Sequence, residues 1–167
     1  MQIEMKVTGL TIDPFTNMPI IILKDLEEKS ALPIWIGLIE ASAIATELEK
    51  IKLSRPMTHD LIKNILDVLK VSVSRIEVHD LADNTFYARI TLVNHGSEHV
   101  IDARPSDAIA LALRVGAPIF VDKKVIDKSR QIDLGKEENE GSPKSDDQRW
   151  AEFLENLNPE DFGKYKM

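Results

Sequence analysis

The densest polar constellation in this 167-residue chain is Asp102-Ala103-Arg104-Pro105-Ser106-Asp107, placed where a short apolar strand pattern passes into an apolar helical one. Its two carboxylates could hold a hard divalent cation through oxygen ligands, and the planar fork of Arg104 could grip a phosphate. The same residues suit a structural task equally well. Ser106 would cap the helix, Asp107 would complement its dipole, and Arg104 would pair with Asp102 or another acid. A second patch, Arg55-Pro56-Met57-Thr58-His59-Asp60, also opens a helix. His59 there could serve as a general base or a metal ligand, or pack at the edge of the helix's apolar stripe.

A third feature lies in the helix between residues 37 and 53, where Glu40, Ile44, Glu47 and Ile51 fall at i, i+4, i+7 and i+11. That spacing lines two carboxylates up with apolar residues instead of opposite them. A carboxylate beside a buried face needs a cation or a donor. Glu40, next to Gly37 at the helix entrance, is the candidate for a metal or a substrate-facing arginine, and Glu47 reads as one half of a structural ion pair. The other histidines carry less: His79 lies in a strand, and His95 and His99 flank the Gly96-Ser97 turn. No Gly-x-Ser-x-Gly elbow surrounds Ser106, and the seven glycines form neither a phosphate-binding loop nor a dinucleotide fingerprint.

The elements that must position these residues follow from periodicity. Ile3, Met5 and Val7 alternate with Glu4, Lys6 and Thr8, which predicts a first strand that Gly9 relaxes or bulges. Strands follow over 19–23 and 32–36, then a helix from 37 to about 53. A second helix over 58–70 has Thr58 as N-cap and Leu61, Ile62, Ile65, Leu66 and Leu69 as its buried stripe. Residues 71–81 and 86–93 read as an antiparallel pair, 99–103 as a further strand, 106–115 as a third helix and 118–121 as a last strand. Strands in runs, broken by helices, indicate an α+β domain with a mixed, largely antiparallel sheet and helices packed on it. Ala43-Ile44-Ala45 recurs as Ala108-Ile109-Ala110, each early in a helix after a short strand, and Arg55-Pro56 recurs as Arg104-Pro105. The first echo suggests an internal strand-helix duplication; the second is also what helix initiation by proline produces.

Composition sets the bounds. With 43% hydrophobic and 29% charged residues the chain can bury a core, and no apolar run is long enough for a transmembrane helix. The N-terminus alternates polar and apolar residues instead of presenting a signal peptide, and cysteine is absent, so the expected compartment is the cytoplasm, with no membrane partner. The net charge of −7 disfavours bulk binding of nucleic acid, so any phosphate must meet a local patch or a metal. Residues 135–149 contain no apolar side chain, which divides the chain into a domain over 1–134, an acidic linker over 135–145, and a C-terminal segment over 146–167. In that segment Trp150, Phe153, Leu154 and Leu157 form an amphipathic stripe, expected to dock within a homo-oligomer.

The ordered motifs, Leu32-Pro33-Ile34-Trp35-Ile36-Gly37 with Glu40-Ala41, Arg55-Pro56-x-Thr58-His59-Asp60-Leu61, Phe86-Tyr87-Ala88, Asp102 through Ala112, and Pro118-Ile119, resemble the bifunctional nuclease domain. The resemblance covers roughly residues 1–130. It implies an α+β fold of its own type, a homodimer or higher homo-oligomer, and the activity on both DNA and RNA ascribed to plant members. It carries over Glu40, Arg55, Thr58, His59, Asp60, Asp102, Arg104, Ser106 and Asp107 as candidates. Joined to the chemistry of phosphodiester hydrolysis, Asp102, Asp107 and Glu40 would bind Mg²⁺ or Mn²⁺ and His59 would be the base. Arg55 and Arg104 would clamp the phosphate, with Thr58 and Ser106 beside the substrate and Asp60 in the catalytic set. The competing expectation is a non-catalytic oligomeric module whose polar cluster is a structural ion-pair network.

Overall fold

A computed structural model describes residues 1–137 of the chain, with side chains described through residue 130. Two antiparallel meanders make most of it. The first is β1 (Gln2–Ile12), β2 (Pro19–Asp25) and β3 (Ala31–Trp35); the second is β4 (Ser72–Ala82), β5 (Thr85–Asn94) and β6 (Ser97–Ala103). A short β7 (Ile119–Asp122) joins them, antiparallel to β1 and parallel to β4, in one sheet of order β3-β2-β1-β7-β4-β5-β6. The register of β1 against β2 shifts between Val7 and Gly9, the bulge expected at that glycine. This is the α+β class with a mixed, mostly antiparallel sheet that the sequence implies.

Four helices complete the described residues: α1 (Leu38–Leu48), α2 (Thr58–Val68), α3 (Pro105–Val115) and α4 (Lys123–Glu137). Each meander ends at an edge of the sheet and runs directly into a helix, β3 into α1 and β6 into α3, and the two helices pack on each other. The recurrence of Ala-Ile-Ala thus has a topological counterpart. α3 occupies the centre, against β4 and β5 on one side and α1 and α2 on the other. Its Ala108, Ile109, Ala110, Leu111 and Ala112 are all buried, as an all-round apolar helix requires. It stops at Gly116, whose φ of 71° places it in the left-handed region that glycine enters without steric cost.

Four details differ from the sequence reading. α1 ends at Leu48 and not near Leu53, because Lys50 turns left-handed and Ile51 bonds back to Thr46; Ile51 therefore leaves the helical line shared with Glu40 and Glu47. The N-cap of α2 is Met57, one residue before Thr58. No residue of α2 is buried: Leu61, Ile65 and Leu69 are about half exposed, because α2 rests on the outside of α3 and no other described element covers its apolar stripe. The sequence reading also lacked α4, which extends to Glu137 and so takes in the first residues assigned to the linker. The stripe from Trp150 to Leu157 lies outside the described residues. No helix among the described residues is long and apolar enough to cross a membrane.

Because α3 is the shared neighbour of both helical and sheet layers, truncating its centre should be costly. Ile109 is fully buried, and Ile109→Ala is expected to lower unfolding free energy by about 2–5 kcal/mol in urea titrations.

Candidate active site

Three helices begin around one pocket of about 210 Å³. α1 supplies Ile39, Glu40, Ser42, Ala43 and Thr46 to its lining; Met57, Thr58 and His59 come from the start of α2, and Arg104, Asp107 and Arg114 from α3 and its cap. Local sequence sets each start. Extended Gly37 caps α1, Met57 caps α2 with its backbone N–H donating to Asp60 Oδ2 at 2.9 Å, and Arg104 caps α3 ahead of Pro105. The positive ends of three helix dipoles therefore border the same space, which favours an anion.

One hydrogen-bonded chain crosses that space. Asp107 Oδ1 lies 3.0 Å from His59 Nε2, Asp107 Oδ2 accepts from Arg104 Nε at 2.8 Å, and Arg104 Nη1 donates to Glu40 Oε1 at 2.8 Å. Glu40 reaches Arg104 by folding its carboxylate back over Gly37, where any Cβ would run into it. Burial opposes ionisation of Asp107, but the hydrogen bonds from Arg104 and His59 and the guanidinium charge outweigh it, holding the carboxyl below its ordinary value. An ionised Asp107 can only accept, so the neutral imidazole carries its proton on Nε2 and its lone pair on Nδ1. Nδ1 and Arg104 Nη2 have no hydrogen-bond partner among the described residues. The His59 side chain is only 11% exposed and that of Arg104 65% exposed, so the imidazole is recessed and the guanidinium stands at the mouth.

Of the residues expected at a site, Glu40, Thr58, His59, Arg104 and Asp107 come together here. Asp102 does not; it sits exposed on edge strand β6, paired in register with Arg89, and Arg104 takes Asp107 and Glu40 as its acids instead. Arg55 is exposed in the segment before α2, outside the lining, and Ser106 is buried in the first turn of α3. Asp60 is turned away to Arg114, whose Nε donates to Asp60 Oδ1 at 2.7 Å. Arg114, a lining residue the sequence reading missed, is 3% exposed and also donates to the carbonyls of Ala110 and Ala43. Its signal was the one basic residue, in the last turn of a largely apolar helix.

The carboxylates expected to hold a divalent cation do not fit one. Asp102 is outside the pocket, Glu40 and Asp107 are bridged by Arg104, and no group of three or more His, Asp or Glu side chains that could hold a metal ion occurs among the described residues.

Two outcomes follow for the carboxylates. Asp60→Asn leaves a buried guanidinium without its counter-charge and is expected to cost about 3–5 kcal/mol of stability by chemical denaturation. The carboxyls of Asp60 and Asp107 both titrate below their ordinary value, Asp60 chiefly through the Met57 N–H and, against the opposing effect of burial, Arg114. Their contribution is whole above the unfolded-state value near 4 and lost as pH falls through the lower folded values, so a thermal midpoint measured against pH should drop below about pH 4. Asp60→Asn should make that drop shallower.

The chain matches the family described as "Bifunctional nuclease domain" over residues 21–133. An uncharacterized protein of Mycobacterium tuberculosis is 36% identical over 162 residues, covering 95% of this chain and 97% of its own length. "Bifunctional nuclease 1" of Arabidopsis thaliana is 30% identical over 135 residues, covering 77% of this chain but 41% of the plant protein. "Bifunctional nuclease 1" of Oryza sativa subsp. japonica is 28% identical over 110 residues, 63% of this chain and 33% of its own length. The matched span runs from β2 into α4 and contains every lining residue of the pocket, and the chain belongs to the bifunctional nuclease domain family.

Proposed function

We propose that the protein is a nuclease that hydrolyses phosphodiester bonds of DNA and RNA at the pocket between α1, α2 and α3. The observation that carries this reading is the chain from His59 through Asp107 and Arg104 to Glu40, laid across three helix N-termini. Arg104 is fixed by two carboxylates with Nη2 left to donate to a phosphate oxygen, and the dipoles add positive potential where the transition state gains charge. Nδ1 of His59 takes a proton from water as its oxygen bonds to phosphorus and the ester P–O bond breaks. The leaving oxygen is then protonated from solvent, and the imidazolium returns its proton there. Asp107 holds the imidazole in the required tautomer and stabilises the imidazolium. No step here passes through Mg²⁺ or Mn²⁺. The names of the plant relatives support the reaction class.

The uncovered apolar stripe of α2 supports a homo-oligomer, and the absence of cysteine fits the cytoplasm. A second reading, a binding module whose network is structural, draws on the engagement of both Asp107 oxygens and of Glu40 Oε1 by partners.

Cleavage of labelled DNA and RNA by purified variants separates the two. His59→Gln is expected to lower the rate by about 10²–10⁴ with a thermal midpoint within a few degrees of the parent protein. Asp102→Asn, outside the pocket, is expected to leave cleavage intact. Unchanged cleavage in His59→Gln would leave the structural reading.

A further inference from the structure

Seven Lys and Arg side chains form no ion pair among the described residues, and three of them, Lys50, Lys52 and Arg55, fall within six positions, whereas Lys24, Lys70, Lys123 and Arg130 are scattered. Arg75, Arg89, Arg104, Arg114 and Lys128 are each tied to an acid. Lys50, Lys52 and Arg55 pair with no carboxylate among the described residues, and all three are exposed. They occupy the irregular segment that leads from the end of α1 back to Met57 at the pocket. α1 flanks the pocket from Ile39 to Thr46 and ends at Leu48, and this segment leads from there to Met57 on the same lining, with Lys50 to Arg55 spanning at most about 18 Å. Between the cations stand Ile51 and Leu53, with Met57 at the pocket end, all at least 40% exposed.

From this arrangement we infer that residues 50–57 are a track for the backbone of single-stranded nucleic acid leading into the pocket, with Lys50, Lys52 and Arg55 on successive phosphates and the intervening apolar side chains against bases. The inference rests on the nuclease reading and names its substrate class. A flexible strand is required because His59 is recessed: one phosphate has to leave the line of the backbone and enter between helices, which a single strand does at little cost and a stacked duplex resists. The alternation of cation and apolar residue without aromatics gives contact to backbone and bases with little sequence preference.

The test uses the full chain, a fluorescein-labelled single-stranded oligonucleotide of mixed sequence and its duplex, with affinity measured by anisotropy across a salt series. The Lys50→Gln/Lys52→Gln variant is expected to bind the single strand more weakly, with the slope of log K against log salt shallower by about 1.4, the change for two phosphate contacts on a single strand. Adding Arg55→Gln should take away about 0.7 more. A control with the same change of charge, Lys24→Gln/Lys123→Gln on β2 and α4, is expected to keep the parent slope. Equal slopes for the track and control variants, or a duplex bound as tightly as the single strand, would overturn the inference. Hydrolysis of bis(p-nitrophenyl) phosphate by the parent protein, a substrate too small to touch the track, reports on the pocket separately. Its absence would sink the nuclease reading whatever the binding data say.

Discussion

The guanidinium of Arg114 is the tie on which the helical layer depends. It is almost wholly buried, it belongs to the central helix, and its nitrogens reach a carboxylate on α2, a carbonyl of α1 and a carbonyl of its own helix. Burying such a charge is expensive unless it is paired and its N–H groups are satisfied, so the fold that accepts Arg114 must also hold three helices in one arrangement. α2 buries no side chain of its own, and the Asp60–Arg114 pair anchors its first turn on α3. Since His59 sits in that turn, the position of the imidazole relative to Asp107 descends from an ion pair outside the His59–Asp107–Arg104–Glu40 chain.

The network in the pocket is layered in the same sense. Asp107 is shared between a residue that can move a proton and one that can meet a phosphate, and Glu40 fixes the far side of the guanidinium. Each acid of the chain has a structural job, yet an imidazole nitrogen and a guanidinium N–H group are left with no partner among the described residues. Asp60 and Arg114 belong to the frame, and His59 and Arg104 Nη2 are the groups that the proposed reaction would use.

Much of this was legible in the sequence because local rules happened to agree with the global fold. The alternation in β1, the glycine bulge, the proline start of α3 and the all-round apolar pattern from Ala108 to Ala112 are local signals that tertiary structure did not override. Glu40, Thr58, His59, Arg104 and Asp107 were legible because each lies at a helix start, where dipole and capping needs select such residues. Asp102 misled because sequence proximity to Arg104 says nothing about the direction of an edge strand's side chain. The pairing of Asp60 with Arg114 spans 54 positions and leaves no periodic trace. The amphipathic pattern of α2 was read correctly as helix and wrongly as buried, since a hydrophobic stripe records that a face is to be covered without recording by what.

β7 carries a consequence for the order of assembly. This four-residue strand is the sole link between the two meanders in the sheet: residues Gln2–Met5 pair with it, and the backbone of Lys123 bonds to that of Met1. During synthesis the first meander emerges long before its neighbour exists, so the start of β1 must wait with an unpaired edge until more than a hundred further residues have left the ribosome. The closing contact of the sheet is also among its longest in sequence, so its loop-closure cost is among the largest in the fold. The helices that border the pocket come from both halves, α1 and α2 following the first meander and α3 the second, so the site spans the same division that β7 bridges in the sheet.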